Sequence, residues 1–252
     1  MKGSLFVSIS LSFLVIAFYL DHIGVNIYFL SVHSLVYNLT LLSGFIIGIT
    51  QYKKRSKILK LVTILFLGVF LSELGVLILV ELKLLVPLYY FLLLFFLLLL
   101  HHLIFSQFLE QIGKQKKGLN LFSLLVASLF LSIMIYHWNL SGFPSIAVSL
   151  FCIYVISMSL YTPYHLIEVP IKTRLWINPV FLFSVATLVM YSLKFWNVSF
   201  RPVLHKLPME IMLKYKFLLF NFSNYIMEIA YCVFVFILLY GDKKEPVQLE
   251  GN

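Results

Sequence analysis

Two adjacent histidines, His101 and His102, are the residues whose side-chain types first suggest chemistry in this sequence. They follow an apolar run in the stretch FLLLFFLLLLHHLIF, and an imidazole can bind a metal or a haem, or take up a proton. Neighbouring residues on a helix project about 100° apart, so the pair cannot chelate one ion as an i, i+4 pair would. We therefore expect no metal and no haem cofactor, and we predict that both histidines are interfacial, with their polar tips among the headgroups.

Two acidic residues, Glu73 and Glu228, lie inside apolar segments, in the stretches LSELGVLILV and NFSNYIMEIAY. A charged side chain at the bilayer centre costs about 2.5–3.5 kcal/mol on insertion scales, so each acid needs a partner or a wet cavity. Asn221 and Asn224 precede Glu228 at helical spacing, which places the three on one helix face. All four residues are candidates for a ligand or ion pocket. Either carboxyl could instead be protonated and neutral.

Polar residues also recur at helical spacing in two other segments, and both sets predict a helix face turned toward the interior of a bundle. The first set is His33, Tyr37, Thr40 and Gly44, and the second is Ser184, Thr187, Tyr191 and Lys194. We take His33, Tyr37 and Tyr191 as further pocket candidates. The alternative is interhelical hydrogen bonding, in which small and hydroxyl side chains hold helices together at about 0.6–2 kcal/mol each.

The composition excludes a water-soluble globular domain, because 62% of the 252 residues are hydrophobic and 12% are charged. The formal net charge is +9, but the sequence has no basic domain that would bind nucleic acid. The charge pattern therefore indicates orientation in a lipid bilayer. Cys152 and Cys232 lie in apolar segments, where we expect free thiols rather than a disulfide.

Runs of about twenty apolar residues predict an all-α fold, a transmembrane bundle of eight helices. The predicted helices are 4–20, 28–50, 60–82, 84–106, 120–139, 145–163, 176–195 and 217–240. They give an N-terminal anchor and short outer loop at 1–27, a bundle of seven core helices at 28–240, and a tail at 241–252. Because helix 4–20 has no small-x-small cleavage site, we expect a retained anchor, with a cleaved signal peptide as the alternative.

The distribution of basic residues predicts the orientation of this bundle. If alternate loops face alternate sides, most Lys and Arg residues gather on one side, in the loops at 53–60, 114–117 and 172–174 and near both ends of the sequence. The positive-inside rule makes that side cytoplasmic, with both termini inside. The loop at 196–216 is basic as well but falls on the outer side, so it is the part of the chain that agrees least with the predicted topology.

From residue 28 onward, the order of features resembles a family of small seven-helix inner-membrane proteins of Bacteroidetes-type bacteria. The resemblance rests on the segments QYKKRSK, SELG, PLYYFLLLFFLLLLHHLIF, LWINPVFLFSVATLVMYS and LFNFSNYIMEIAYCVFVFILL. It implies a multi-pass protein of the bacterial inner membrane. Because members of the family are often encoded beside signalling genes, it also implies a sensor or accessory role. It draws attention to Glu73, Trp176, Asn221 and Asn224, and it carries over no catalytic residue.

Three functions are compatible with these patterns. The leading hypothesis is a membrane sensor or accessory subunit that binds a small ligand or lipid and contacts a membrane or cytoplasmic signalling protein through 51–59, 107–119 or the tail. The second is a small secondary transporter that uses Glu73 and Glu228. A lipid-modifying intramembrane enzyme comes third, because the sequence contains no HExxH, GxSxG or phosphate-binding glycine loop. No pattern sets the oligomeric state.

Overall fold

The protein is described by a computed structural model over residues 32–50, 52–81, 86–136, 145–168, 175, 178–204, 208 and 222–240. These parts form seven α-helices, and a 3-10 turn, Tyr52–Lys54, lies between the first two of them. The helices are α1 (Val32–Thr50), α2 (Lys57–Glu81), α3 (Val86–Gln111), α4 (Lys117–Tyr136), α5 (Ser145–Ile167), α6 (Pro179–Leu204) and α7 (Phe222–Tyr240). The predicted all-α class is confirmed. Helix 4–20 lies outside the described residues, so a total of eight helices stays a prediction.

Five of the described helices, α2 to α6, contain segments long and apolar enough to cross a membrane. The described parts of α1 and α7 are apolar as well, although shorter. Helices satisfy their own backbone hydrogen bonds, which is what a chain in hydrocarbon requires. The chain is therefore a membrane-embedded helical bundle.

Six of the helices close into a ring. Helix α1 packs against α2 and α7, α2 against α3, α3 against α5, α5 against α6, and α6 against α7. Helix α4 lies outside this ring against α3 and α5, and only Leu119, Val126 and Phe130 of its residues are buried. The ring of α1, α2, α3, α5, α6 and α7 therefore encloses the interior of the bundle, and α4 does not reach it.

Two glycines bring α1 close to α2. A Cβ atom on Gly44 would lie 2.4 Å from the ring of Phe66, and one on Gly48 would lie 2.3 Å from the Thr63 side chain. Neither distance is possible for real atoms, so a larger residue would force the Phe66 or Thr63 side chain, or the helices themselves, to shift. This is the small-xxx-small arrangement that lets membrane helices approach closely when no hydrophobic effect drives them together.

Two helix boundaries differ from the predicted ones for local reasons. Helix α3 continues to Gln111 rather than ending near residue 106, and Gly113, with φ 71°, then closes it. The amides of Gly113 and Lys114 donate to the carbonyls of Glu110 and Leu109, a Schellman motif. Helix α6 runs on to Leu204, so the predicted outer loop at 196–216 begins as helix.

One end of the bundle gathers positively charged side chains, and we call it the basic end. It contains Arg55, Lys57, Lys60, Lys114 and Lys116, which follow α1 and α3 in the chain or begin α2. Lys114 forms an ion pair with Glu168 after α5, and Lys116 with Glu110 in the last turn of α3. Lys57 acts electrostatically on Glu110 as well. The basic loops at 53–60 and 114–117, predicted to share a side, thus lie at one end.

Candidate functional site

The ring encloses a cavity of about 190 Å³, and all six ring helices contribute to its wall. The wall is formed by Tyr37, Val69, Ser72, Glu73, Tyr90, Leu93, Leu94, Leu97, Val148, Met190, Tyr191, Lys194, Met227 and Tyr231. Three predicted pocket residues, Tyr37, Glu73 and Tyr191, come together here from α1, α2 and α6. At about 30 Å³ per molecule, the space corresponds to roughly six waters.

Glu73 and Lys194 are the two charged residues in the described wall of this cavity. Helices α2 and α6 are not neighbours in the ring, so the two side chains approach from different walls. The Lys194 ammonium acts on the Glu73 carboxylate through space rather than through a hydrogen bond. Opposite charges therefore face one space without neutralising each other by direct contact.

Tyrosines complete the polar lining around Glu73. The Tyr37 side chain lies within hydrogen-bonding reach of both the Glu73 carboxylate and Tyr231. The rings of Tyr37 and Tyr231 meet edge to face with centroids 5.6 Å apart, and Tyr90 and Tyr191 line other parts of the wall. Phenol groups supply both hydroxyl donors and π faces, which suit a polar ligand with a cationic group.

The two charges lie at a similar distance from the basic end. Glu73 is sixteen residues from the start of α2, which is about 24 Å at 1.5 Å per residue. Helices α5 and α6 are antiparallel, because Ser149 contacts Ser199 while Phe151 contacts Tyr191. Helix α6 therefore starts at the basic end, and Lys194 lies about 22 Å from it. The cavity thus opens in the half of the bundle farther from the basic end.

His101 is fully buried, with 0% of its side chain exposed, so the interfacial prediction does not describe it. Because α3 extends to Gln111, His101 lies about 15 Å from the basic end, near the middle of the span. Its Nδ1–H donates to the Leu97 carbonyl at 2.8 Å, and its Nε2 has no hydrogen-bond partner among the described residues. The ring packs against Phe151 and Tyr191, with centroids 5.5 and 5.3 Å away.

His102 has a different environment, as its 100° offset from His101 requires. Its Nδ1 bonds to the Ser123 hydroxyl of α4 at 2.7 Å, and Ser123 also contacts the Tyr154 hydroxyl of α5 at 2.8 Å. The Ser123 hydroxyl lies 2.8 Å from the Leu119 carbonyl, to which it donates. This side chain is half-buried and connects α4 to the ring, so its observed role is structural.

Of the remaining predicted pocket residues, Glu228 is the one whose side chain the structure describes. Glu228 is completely buried in α7, but its neighbours Met227 and Tyr231 line the cavity and Glu228 itself does not. Asn221 lies outside the described residues, and so do the side chains of Asn224 and His33. A transport site that joins Glu73 with Glu228 stays a prediction.

Sequence reasoning missed three residues that matter in this structure. Lys194 was part of a predicted polar face but was not taken as a pocket residue. Tyr231 stands three residues after Glu228, so continuing the Asn221, Asn224 and Glu228 stripe by one step would have found it. No feature of the sequence distinguished Arg55 from its neighbours, because it belongs to a basic run that resembles a solvated loop.

The described residues contain no group of three or more His, Cys, Asp or Glu side chains that could hold a metal ion. The cavity instead offers one carboxylate, one ammonium and several phenols. These groups can bind and orient a small polar molecule. Comparison with protein-family models, curated proteins and solved structures found no match. The predicted family resemblance thus stays a prediction.

Proposed function

We propose that this chain is an integral membrane protein that binds a small polar ligand in the cavity between Glu73 and Lys194. It would act as a sensor or accessory subunit for a membrane or cytoplasmic partner. The observation that supports this best is the pair of opposite charges facing one cavity inside apolar helices. A charged side chain within the hydrocarbon region is costly, so a cavity with a bound polar ligand accounts for the presence of these two charges.

The same helices link the cavity to the basic end. Tyr37 of α1 and Tyr231 of α7 line the cavity, and both helices end at Arg55, which donates to carbonyls of each. A ligand that pulls Tyr37 and Tyr231 inward would shift α1 and α7 as rigid elements. The shift would reach the surface around Arg55, which the positive-inside rule places in the cytoplasm.

The exposed lysines beside Arg55 are the proposed contact with the partner. Lys53, Lys54 and Lys57 are all exposed, and like charges at a surface attract an acidic partner surface. Purification in mild detergent should recover a signalling or other membrane protein with the wild-type chain. Replacing all three lysines by Gln should abolish that recovery, and Glu73→Gln should change its amount.

Lys117→Gln is the control for the triple variant, because Lys117 is also exposed but begins the peripheral helix α4. It should leave the partner bound. Reproducible recovery of the chain alone, at several detergent concentrations, would contradict the proposal.

A second function, proton conduction across the membrane, is favoured by His101. Its unpartnered Nε2 is an acceptor about 15 Å from the basic end, and Tyr191 lies between it and the cavity. A proton held at Glu73 could pass by way of Tyr191 to His101. Liposomes that contain the protein should then conduct protons under an imposed potassium potential, as followed by a trapped pH dye. Glu73→Gln should abolish the signal and Glu110→Gln should leave it; no conductance would exclude this function.

A further inference from the structure

We infer that the ligand of this cavity is a compact zwitterion, a molecule that carries an ammonium and a carboxylate a few bonds apart. This inference rests on the proposed ligand-binding function and specifies its chemical class. It starts from the charge arrangement, since a carboxylate and an ammonium approach the same space from non-neighbouring helices. A ligand with both charges satisfies both side chains at once.

Ligands of a single charge fit this arrangement poorly. A cation would pair with Glu73 but would bring a like charge near Lys194, and an anion would do the reverse. In a low-dielectric site both attraction and repulsion are much stronger than in water. A neutral ligand would leave both charges uncompensated. The wall therefore discriminates by repulsion as well as by attraction.

The tyrosines favour the ammonium end near Glu73. Tyr37 lies within hydrogen-bonding reach of Glu73 and packs edge to face on Tyr231. Phenol faces attract an ammonium group, including one whose hydrogens are replaced by methyl groups. The carboxylate end would then point to Lys194. The next turn of α6, at Met190 and Tyr191, and Leu94 and Leu97 of α3 close the space around it.

The cavity volume limits the size of the ligand. A space of about 190 Å³ holds roughly six waters at about 30 Å³ each. It accommodates a small amino acid or glycine betaine.

The test measures thermal stability and binding in detergent with a set of matched probes. Glycine, alanine and glycine betaine carry both charges, choline carries only the cation, and propionate only the anion. At least one zwitterion should raise the midpoint of thermal unfolding by about 4 °C or more at saturating concentration. Choline and propionate should each raise it far less, and radiolabelled ligand should confirm saturable binding.

Two single variants assign the effect to the cavity. Glu73→Gln and Lys194→Met should each weaken zwitterion binding at least tenfold, because each removes one of the two charge contacts. Glu110→Gln and Lys60→Met carry the same substitutions at the basic end and should bind as the wild type does. If a variant does not fold, the probe series on the wild-type protein still decides the question.

The outcomes separate the zwitterion from the wider function. Stabilisation by choline or propionate as strong as by the zwitterions, and lost in Glu73→Gln, would overturn the zwitterion and leave the ligand-binding function standing. Stabilisation by none of the five probes would also overturn the zwitterion. If Glu73→Gln then leaves partner recovery unchanged as well, the ligand-binding function fails with it.

Discussion

Charged side chains differ in their direct contacts between the basic end and the cavity. At the basic end, the Arg55 guanidinium donates to the carbonyls of Ile47 and Gly48 in α1 and of Leu238 in α7, at 2.8, 3.0 and 2.6 Å. In the cavity, Glu73 and Lys194 face the same space without a direct contact. Arg55 thus has its hydrogen-bond partners in the chain, whereas Glu73 and Lys194 stay apart around a cavity, and the proposed ligand site rests on that difference.

The largest effect on stability is expected from Arg55→Met. Arg55 is only 5% exposed, and it satisfies carbonyls at the C-terminal ends of two helices, where the helix dipole also favours a cation. Removing it leaves those carbonyls without their donor and should cost about 3 kcal/mol. For a chain of this length that is roughly 6–12 °C in the midpoint of thermal unfolding in detergent.

Lys54→Met is the matched control for Arg55→Met, because Lys54 is the exposed neighbour in the same basic run. It should change the free energy of unfolding by no more than about 0.5 kcal/mol. Equal losses in the two variants would show that net positive charge, rather than the hydrogen bonds of Arg55, stabilises this end.

The second prediction concerns a change that should leave the stability of the fold unchanged or increase it. In the double variant Glu73→Gln with Lys194→Met, two partly buried charges that lack direct contact are replaced by neutral groups of similar size. Exchanging buried charges for neutral or apolar groups is often neutral or stabilising by about 1–4 kcal/mol. We expect the double variant to unfold at the wild-type temperature or higher while it loses zwitterion binding. A clear loss of stability would mean that the two charges support the fold.

The contrast between these regions also explains which features the sequence could predict. Long apolar runs predicted the seven core helices, because length and hydropathy are local properties. The polar face at Ser184, Thr187, Tyr191 and Lys194 was predicted to turn inward, and Ser184 and Thr187 are buried while Tyr191 and Lys194 line the cavity. The cavity residues were thus visible as helical stripes, although their binding role stays a prediction.

Features that depend on which helices meet were not predictable in the same way. Most of these helices are apolar on all sides, and lipid is as apolar as a protein core, so hydropathy does not show which face is buried. Hydropathy therefore did not indicate that α4 lies outside the ring. The prediction also placed His101 at the interface, because the apolar run was taken to end at residue 106, about one turn beyond the histidines. The signal that was overlooked was Gly113, a helix C-terminal residue.

The adjacent histidines are expected to respond to the same substitution with opposite signs. His101→Phe removes an unpartnered buried nitrogen among aromatic rings and should raise stability by about 1 kcal/mol. His102→Phe removes the hydrogen bond to Ser123 and should lower it by about 1 kcal/mol. Thermal unfolding of the purified variants measures both changes in stability. A loss of stability in His101→Phe would indicate that Nε2 has a bound partner, such as a water, in the protein.

The smallest effect concerns the exposed ion pairs of the basic end and appears only in acid. Hydrogen bonds from Lys114, and then from His165, hold the pKa of the Glu168 carboxyl well below its usual range, at about 2. A lowered pKa means that the folded state favours the ionised carboxylate. Its contribution is therefore complete above the unfolded pKa of about 4.3 and is lost as the pH falls toward 2.

Because this group is fully exposed, solvent screening keeps the contribution small. Thermal unfolding of the wild type and of Glu168→Gln should accordingly differ slightly at about pH 6 and converge as the pH falls through about 2. A difference that grows on acidification would show that Glu168 is stabilised in its protonated form, contrary to the contacts with Lys114 and His165.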